Sequence, residues 1–135
     1  MKISAKGIYA LEIMLDILEY GEAAPVVIKE AAARRDISSK YAEQVVSTLN
    51  FAGLVKSVRG PKGGYRASNK AKTTTVGTVL RLTEGVLKEH GQSIEDIGLN
   101  AVLEDLNSAI DKILDKYTLF ELLEMRRDAG NDYVI

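Results

Sequence analysis

The sequence predicts a mainly α-helical fold that carries one small β-hairpin. Apolar residues recur at spacings of three and four along most of the 135 residues, the signature of helices with one buried face. One short stretch breaks that period: residues 54–59 and 65–68 are rich in Val, Tyr and Ser and flank a Gly-Pro-Lys-Gly-Gly turn. Glycines stand where the helical patterns stop, at Gly21, Gly53 and Gly85.

In chain order, residues 3–20 form the first helix, with Ile8, Leu11, Leu15 and Leu18 on one face and Met14 beside them. Pro25 starts a second, short helix over 26–34, whose buried candidates are Val27, Ala31 and Ala32. Arg34, Arg35 and Asp36 make a polar turn. Ser38 or Ser39 caps a third helix over 39–51, because a hydroxyl satisfies the free amides of the first turn. Its apolar face is Tyr41, Val45, Thr48, Leu49 and Ala52. The hairpin follows. Two helices joined by a short turn make a helix-turn-helix, and the hairpin adds a wing. Residues 1–72 are read as this winged unit and 73–135 as a dimerisation region.

In that second part, Thr75 caps a helix to about Thr83, and 85–98 read as a polar loop. A long helix is expected over 99–117. Leu99, Leu103, Leu106, Ile110, Ile113 and Tyr117 are spaced 4, 3, 4, 3, 4, and Val102 and Leu114 widen the stripe. A sustained a/d seam of this kind calls for a partner helix. A second copy of the chain is the expected partner, and packing on the chain's own first half is the alternative. Thr118 with Glu121 forms a capping box that opens a last helix over 119–127, followed by a tail, 128–135.

Composition excludes several kinds of function. The chain has no Cys, so it offers no disulfide, thiolate zinc site, thiol nucleophile or all-cysteine iron–sulfur site. No run approaches 18 apolar residues, so no membrane span is expected, and Glu12 and Asp16 interrupt the first apolar stretch. A cytoplasmic location is the expectation. The net charge of −1 is split unevenly. Residues 1–83 hold 13 Lys and Arg against 7 Asp and Glu, whereas 84–135 hold 5 against 12. Lys56, Arg59, Lys62, Arg66, Lys70 and Lys72 follow one another with no acid between them. A basic run of this kind is a solvated face or a phosphate-binding surface.

No catalytic constellation is visible, so no catalytic residues, metal ligands or cofactor are expected. His90 is the sole histidine and reads as a loop residue. Glu95-Asp96 and Glu104-Asp105 read as solvated charge. Gly60 to Gly64 lack the Lys-Ser/Thr of a phosphate loop and lie between strands, so they form a hairpin turn. The third helix presents Ser38, Ser39, Lys40, Glu43 and Gln44 near its start, where a recognition helix meets base edges. Gln pairs with adenine, and Glu accepts from the cytosine amino group. A tip of Gly, Pro and Lys suits a minor groove.

Residues 37–68 resemble the signature of the Rrf-type bacterial transcription regulators, the family of IscR, NsrR and CymR. The match runs through Ser38, Tyr41, Glu43, Gln44, Ala52, Gly53, Leu54, Val55, Ser57, Arg59, Gly60, Gly63, Gly64 and Tyr65. The opening residues 1–11 and Leu-Thr-Glu-Gly at 82–85 also match, so the resemblance covers nearly the whole chain. It implies a homodimeric winged helix-turn-helix repressor on a palindromic duplex operator. It places Ser38, Ser39, Lys40, Tyr41, Glu43 and Gln44 in the major groove. Arg59, Gly60, Pro61, Lys62, Gly63, Gly64 and Tyr65 form the wing, and Lys2, Ser4, Lys6 and Tyr9 hold phosphates.

The chain departs from the family at Ile8, where Arg is common, and at Asn50 and Phe51, where basic residues are common. Cluster-binding members carry three Cys in the loop before the dimer helix, and this chain has none there. The cluster-free branch includes a repressor of cysteine metabolism that is controlled by cysteine synthase. That resemblance implies cysteine synthase as a partner for the tail Asp132, Tyr133, Val134 and Ile135, with a frayed end as the alternative.

Overall fold

The computed structural model describes residues 2–85 and 94–132. Helices α1 (Ala5–Tyr20), α2 (Ile28–Arg34) and α3 (Ser39–Phe51) are followed by a hairpin of β1 (Val55–Val58) and β2 (Gly64–Ala67). A 3₁₀ turn (Asn69–Thr73) leads to α4 (Val76–Glu84), α5 (Ile97–Leu114) and α6 (Leu119–Asp132). The mainly helical fold with one hairpin is as expected.

Helix α1 is the axis of the molecule. It packs against α3, α4, α6 and β2, so it is buried on more than one side. That explains a correction. Its fully buried residues are Ala10, Ile13, Met14 and Ile17, whereas Leu11 and Leu15 are half-buried and Ile8 is exposed. The spacing of its larger side chains marks a narrower face than the one the packing uses. The first helix also starts two residues later than expected, because Ser4 is its N-cap and accepts a hydrogen bond from the Gly7 N–H at 3.2 Å.

Helix α2 starts at Ile28 rather than 26, because the Val26 backbone is used elsewhere. Val26 N–H donates to the Tyr65 carbonyl at 2.8 Å, and Tyr65 N–H donates to the Val26 carbonyl at 2.9 Å. This bridge adds a third short edge to the hairpin. Val26 and Ile28 therefore point inward, and Val27, expected to be buried, is exposed.

Helix α3 spans the expected residues. Ala42, Val45, Val46 and Leu49 are fully buried, while Tyr41, Thr48 and Ala52 lie at the margin of that face. Its end is a Schellman motif. Gly53 adopts φ +77, Leu54 N–H donates to the Leu49 carbonyl at 3.0 Å, and Gly53 N–H donates to the Asn50 carbonyl at 3.0 Å. Ser68 Oγ then donates to the Gly53 carbonyl at 2.6 Å, and Lys70 Nζ to the Ala52 carbonyl at 3.2 Å. Ser68, at the junction of β2 and the 3₁₀ turn, and Lys70 on that turn thereby satisfy carbonyls that the helix end leaves free, which ties the wing to α3.

Two further corrections concern the last helices. The long helix begins at Ile97, capped by the Asp96 carboxylate, and ends at Leu114 rather than 117. Tyr117 is not on it. The chain must turn there so that Leu119 and Leu123 of α6 reach the main core, where both are buried. Leu119 N–H donates to the Thr74 carbonyl and Val76 N–H to the Tyr117 carbonyl, which fixes that turn. Arg81 of α4 forks onto Asp115 at 2.8 and 3.0 Å and reaches Asp111 at 3.2 Å. The Arg81 guanidinium holds the Asp115 carboxyl below the usual carboxylate range. Thr118 caps α6 as expected, its Oγ1 accepting from Glu121 N–H at 3.1 Å. The helix then continues to Asp132, into the segment read as a tail.

Candidate nucleic-acid interface

The start of α3 is held by its cap. Ser38 Oγ accepts from Tyr41 N–H at 3.1 Å, which leaves Ser39, Lys40, Glu43 and Gln44 exposed on the face opposite the buried valines. Tyr41 lies half-buried with its ring edge-on to Tyr9, at 5.9 Å between centroids and 86° between planes. This contact brings the start of α1 beside the start of α3. Tyr41 is thus a packing residue as much as a surface one.

The turn before α3 rests on a buried charge. Asp16 lies on the inner side of α1 and is 1% exposed. A buried carboxylate needs cations and hydrogen bonds to replace lost water. Arg35, from the helix-turn-helix turn, supplies Nη2 at 2.6 Å and Nε at 3.2 Å. Arg126 of α6 supplies Nη1 at 3.0 Å to the same oxygen that accepts Nη2. Glu12 stands 3.6 Å from Arg35, and Glu19 3.6 Å from Arg126. The hydrogen bond to Asp16 is the chief cause that raises the Arg35 pKa. Sequence reading took Asp16 as an interruption of the first apolar stretch and 34–36 as a polar turn. The available signal was an Asp within an amphipathic pattern, and only the packing identifies its partners.

The wing is shaped by backbone. Val55 pairs with Ala67, Lys56 with Arg66, Ser57 with Tyr65 and Val58 with Gly64. Gly60 adopts φ +114, a conformation that L side chains resist. A Cβ on Gly64 would run into the Val26 carbonyl at the bridge. Gly64→Ala is therefore expected to break the Val26–Tyr65 pairing. It should lower stability by about 2 kcal/mol, read by urea unfolding, since it sets a methyl against backbone that cannot retreat. An unchanged midpoint would contradict this role. Arg59, Gly60, Pro61 and Lys62 form the exposed tip, while Gly63, Gly64 and Tyr65 lie at its half-buried base.

At the start of α1, Lys2 is exposed and Lys6 and Tyr9 are half-buried at the helix surface. Ser4 is engaged elsewhere: its N–H donates to Glu84 Oε1 at 3.1 Å, and its hydroxyl donates to the same oxygen. Glu84 closes α4, so this contact ties the first helix to the fourth. Glu84 belongs to the matching 82–85 segment, but its contact with Ser4 joins residues 80 apart and was not legible in the sequence. Among the described residues, Lys2, Lys6, Ser39, Lys40, Glu43, Gln44, Arg59 and Lys62 carry side chains with no hydrogen-bond or ion-pair partner and are free to meet a ligand.

On α5, the expected seam divides in two. Leu103 and Ile110 are half-buried and Leu114 is buried, and Ile110 and Leu114 pack with Leu80 of α4. Leu99, Val102, Leu106, Ala109 and Ile113 face outward, with Ile113 64% exposed. Their spacing of 3, 4, 3, 4 makes one continuous apolar stripe. Tyr117, the last residue of the expected seam, is half-buried in the α5–α6 connection. His90 and the tail residues Tyr133, Val134 and Ile135 lie outside the described residues, as does the side chain of Asp132. No described helix is long and apolar enough to cross a membrane.

The Rrf2 family model, described as an iron-dependent transcriptional regulator, matches residues 3–125. The HTH-type transcriptional regulator IscR of Vibrio atlanticus (strain LGP32) is 38% identical over 131 residues, covering 92% of this chain and 76% of that protein. The HTH-type transcriptional regulator CymR of Bacillus subtilis (strain 168) is 34% identical over 128 residues, covering 90% of this chain and 89% of its own. Among solved structures, the B. subtilis global cysteine regulator CymR superposes with a TM-score of 0.83 at 34% identity, covering 93% of this chain and 98% of that one. IscR of T. potens gives a TM-score of 0.79 at 35% identity, covering 96% and 90%. The donor set for an iron centre does not fit: the 135 residues contain no thiol and one imidazole. Among the described residues, no three His, Asp or Glu side chains gather as metal ligands.

Proposed function

Because this chain belongs to the Rrf2 family of DNA-binding transcriptional regulators, we propose that it is a dimeric, cluster-free repressor of cysteine and sulfur metabolism genes. The observation that carries the reading is the capped start of α3. It frees Ser39, Lys40, Glu43 and Gln44 for base edges while a glycine-shaped wing extends Arg59 and Lys62. In this reading α3 enters the major groove and the wing tip the adjacent minor groove, with Lys2, Lys6 and Tyr9 on phosphates. Ser4 serves them indirectly, by capping α1.

Residues 1–72 carry the DNA contacts and 73–135 the dimerisation. The outward stripe of α5 supports a symmetric pairing with a second copy. Two half-sites then lie one helical turn or a multiple apart on a palindromic operator. Likeness to the cysteine regulator CymR over nearly its whole length, together with a chain that lacks thiols, supports the cluster-free cysteine assignment.

The experiment is selection of bound duplexes from a random pool, followed by titration of the selected palindrome. Arg59→Ala is expected to weaken binding about 10-fold, the scale of a single Arg–DNA interaction. Gln44→Ala should relax preference at one base pair per half-site by ~1–3 kcal/mol while leaving nonspecific binding unchanged. Selection that returns no common sequence would refute the reading.

A further inference from the structure

The wing and the 3₁₀ turn that follows it carry a second cationic cluster that the base-reading residues do not use. The strand register sets Lys56 directly opposite Arg66. Directly opposed residues have Cβ atoms about 5 Å apart, and like charges there repel. Strand alternation turns Val55 and Ala67 toward the core and this pair toward solvent, where both side chains are exposed. Neither has an acidic or hydrogen-bonding partner among the described residues.

Arg66 also lines, with Lys72, Ser68 and Asn69, a cleft of about 210 Å³ that closes against the end of α1. Glu22 is the carboxylate in that lining. Lys72 is exposed and unpartnered in the same sense, in contrast to Lys70, whose ammonium is held by the Ala52 carbonyl. Lys56 and Arg66 therefore stand three residues up the strands from Arg59, roughly 10 Å from the wing tip, and Lys72 joins Arg66 across the cleft.

We propose that Lys56, Arg66 and Lys72 form a second phosphate-binding track, which grips the DNA backbone outside the half-site that α3 and the wing tip read. The inference rests on the DNA-binding reading and extends its footprint. A phosphodiester oxygen pair suits the Arg66 fork, and the Lys56 ammonium adds a point charge on the other side of the same phosphate. Binding there relieves the repulsion that the free protein carries.

The test uses the full chain and the selected palindrome in two lengths, one ending at the half-sites and one extended by about one helical turn (~10 base pairs) on each side. The unmodified protein is expected to bind the extended duplex more tightly. Lys56→Gln with Arg66→Gln should remove that gain and leave base preference intact. It should also lower the slope of log affinity against log salt by ~0.9 for each phosphate that is no longer neutralised. Lys56→Glu serves as the second variant. It places an opposite charge across from Arg66, so its melting temperature should hold or rise while affinity for the extended duplex falls about 10-fold. A merely structural role would not move the two in opposite directions. Equal affinities and equal salt slopes for variants and unmodified protein on both duplexes would overturn the track and leave the DNA-binding reading standing. Failure of the unmodified protein to select any duplex would overturn both.

Discussion

Replacing Asp16 by Asn is expected to destabilise the protein by about 3 kcal/mol, the lower end of the range for breaking a buried ion pair. The lower end applies because Arg35 and Arg126 each keep roughly a quarter of their side chains in solvent and can be rehydrated. The loss should appear as a shift in urea midpoint at constant slope, and as a fall of ~10 °C in Tm at fixed protein concentration. Asn keeps the size of Asp16, so the measurement isolates charge from cavity. A midpoint within error of the unmodified protein would mean that the arginines are held by packing alone. The combined change Asp16→Leu, Arg35→Met and Arg126→Met replaces the network with apolar volume and is expected to recover most of the stability. If that variant regains stability but binds the selected duplex more weakly than the unmodified protein, the network's contribution is to orient the helix-turn-helix turn rather than to hold the fold.

The second large effect is expected on α5. Ile113→Asp should dissociate the proposed dimer, whereas Ile110→Asp, three residues away, should disrupt the monomer's own packing with Leu80 and Leu114. Burial of one Ile side chain is worth about 2 kcal/mol, and twofold symmetry counts it twice. A charge in its place adds to the loss, so the dimer should weaken by at least ~10³-fold, measured by sedimentation equilibrium. Palindrome binding should fall with it, because each half-site would then be held singly. An Ile113→Asp protein that remains dimeric at micromolar concentration would place the interface elsewhere. Ile113→Asp should retain its Tm when compared as a monomer, and Ile110→Asp should not.

The order of three helices and a hairpin, a serine cap at 38 or 39, the Thr75 and Thr118 caps and the glycine stop at Gly53 were legible in the sequence. Each depends on residues within a few positions of one another. The free side chains at the start of α3 were legible for the same reason: a capped helix with one apolar face leaves its other face to solvent. The α5 seam was legible only as a period. Leu99 to Ile113 fit one heptad stripe in sequence, yet α4 takes Ile110 and Leu114 and leaves Val102, Leu106 and Ala109 outside. A heptad pattern does not say which of two neighbours, the chain's own helix or a second copy, covers each side.

The sequence by itself determined the order of the helices and hairpin, the Thr75 and Thr118 caps and the wing turn, because local hydrogen bonding and backbone freedom decide those. Tertiary structure alone decided that α6 folds back on α1, that Asp16 gathers arginines from residues 35 and 126, and that Lys56 and Arg66 face each other. Those facts depend on burial and register between segments far apart in the chain. A buried charge and an opposed pair of like charges acquire meaning only once the fold has chosen their neighbours.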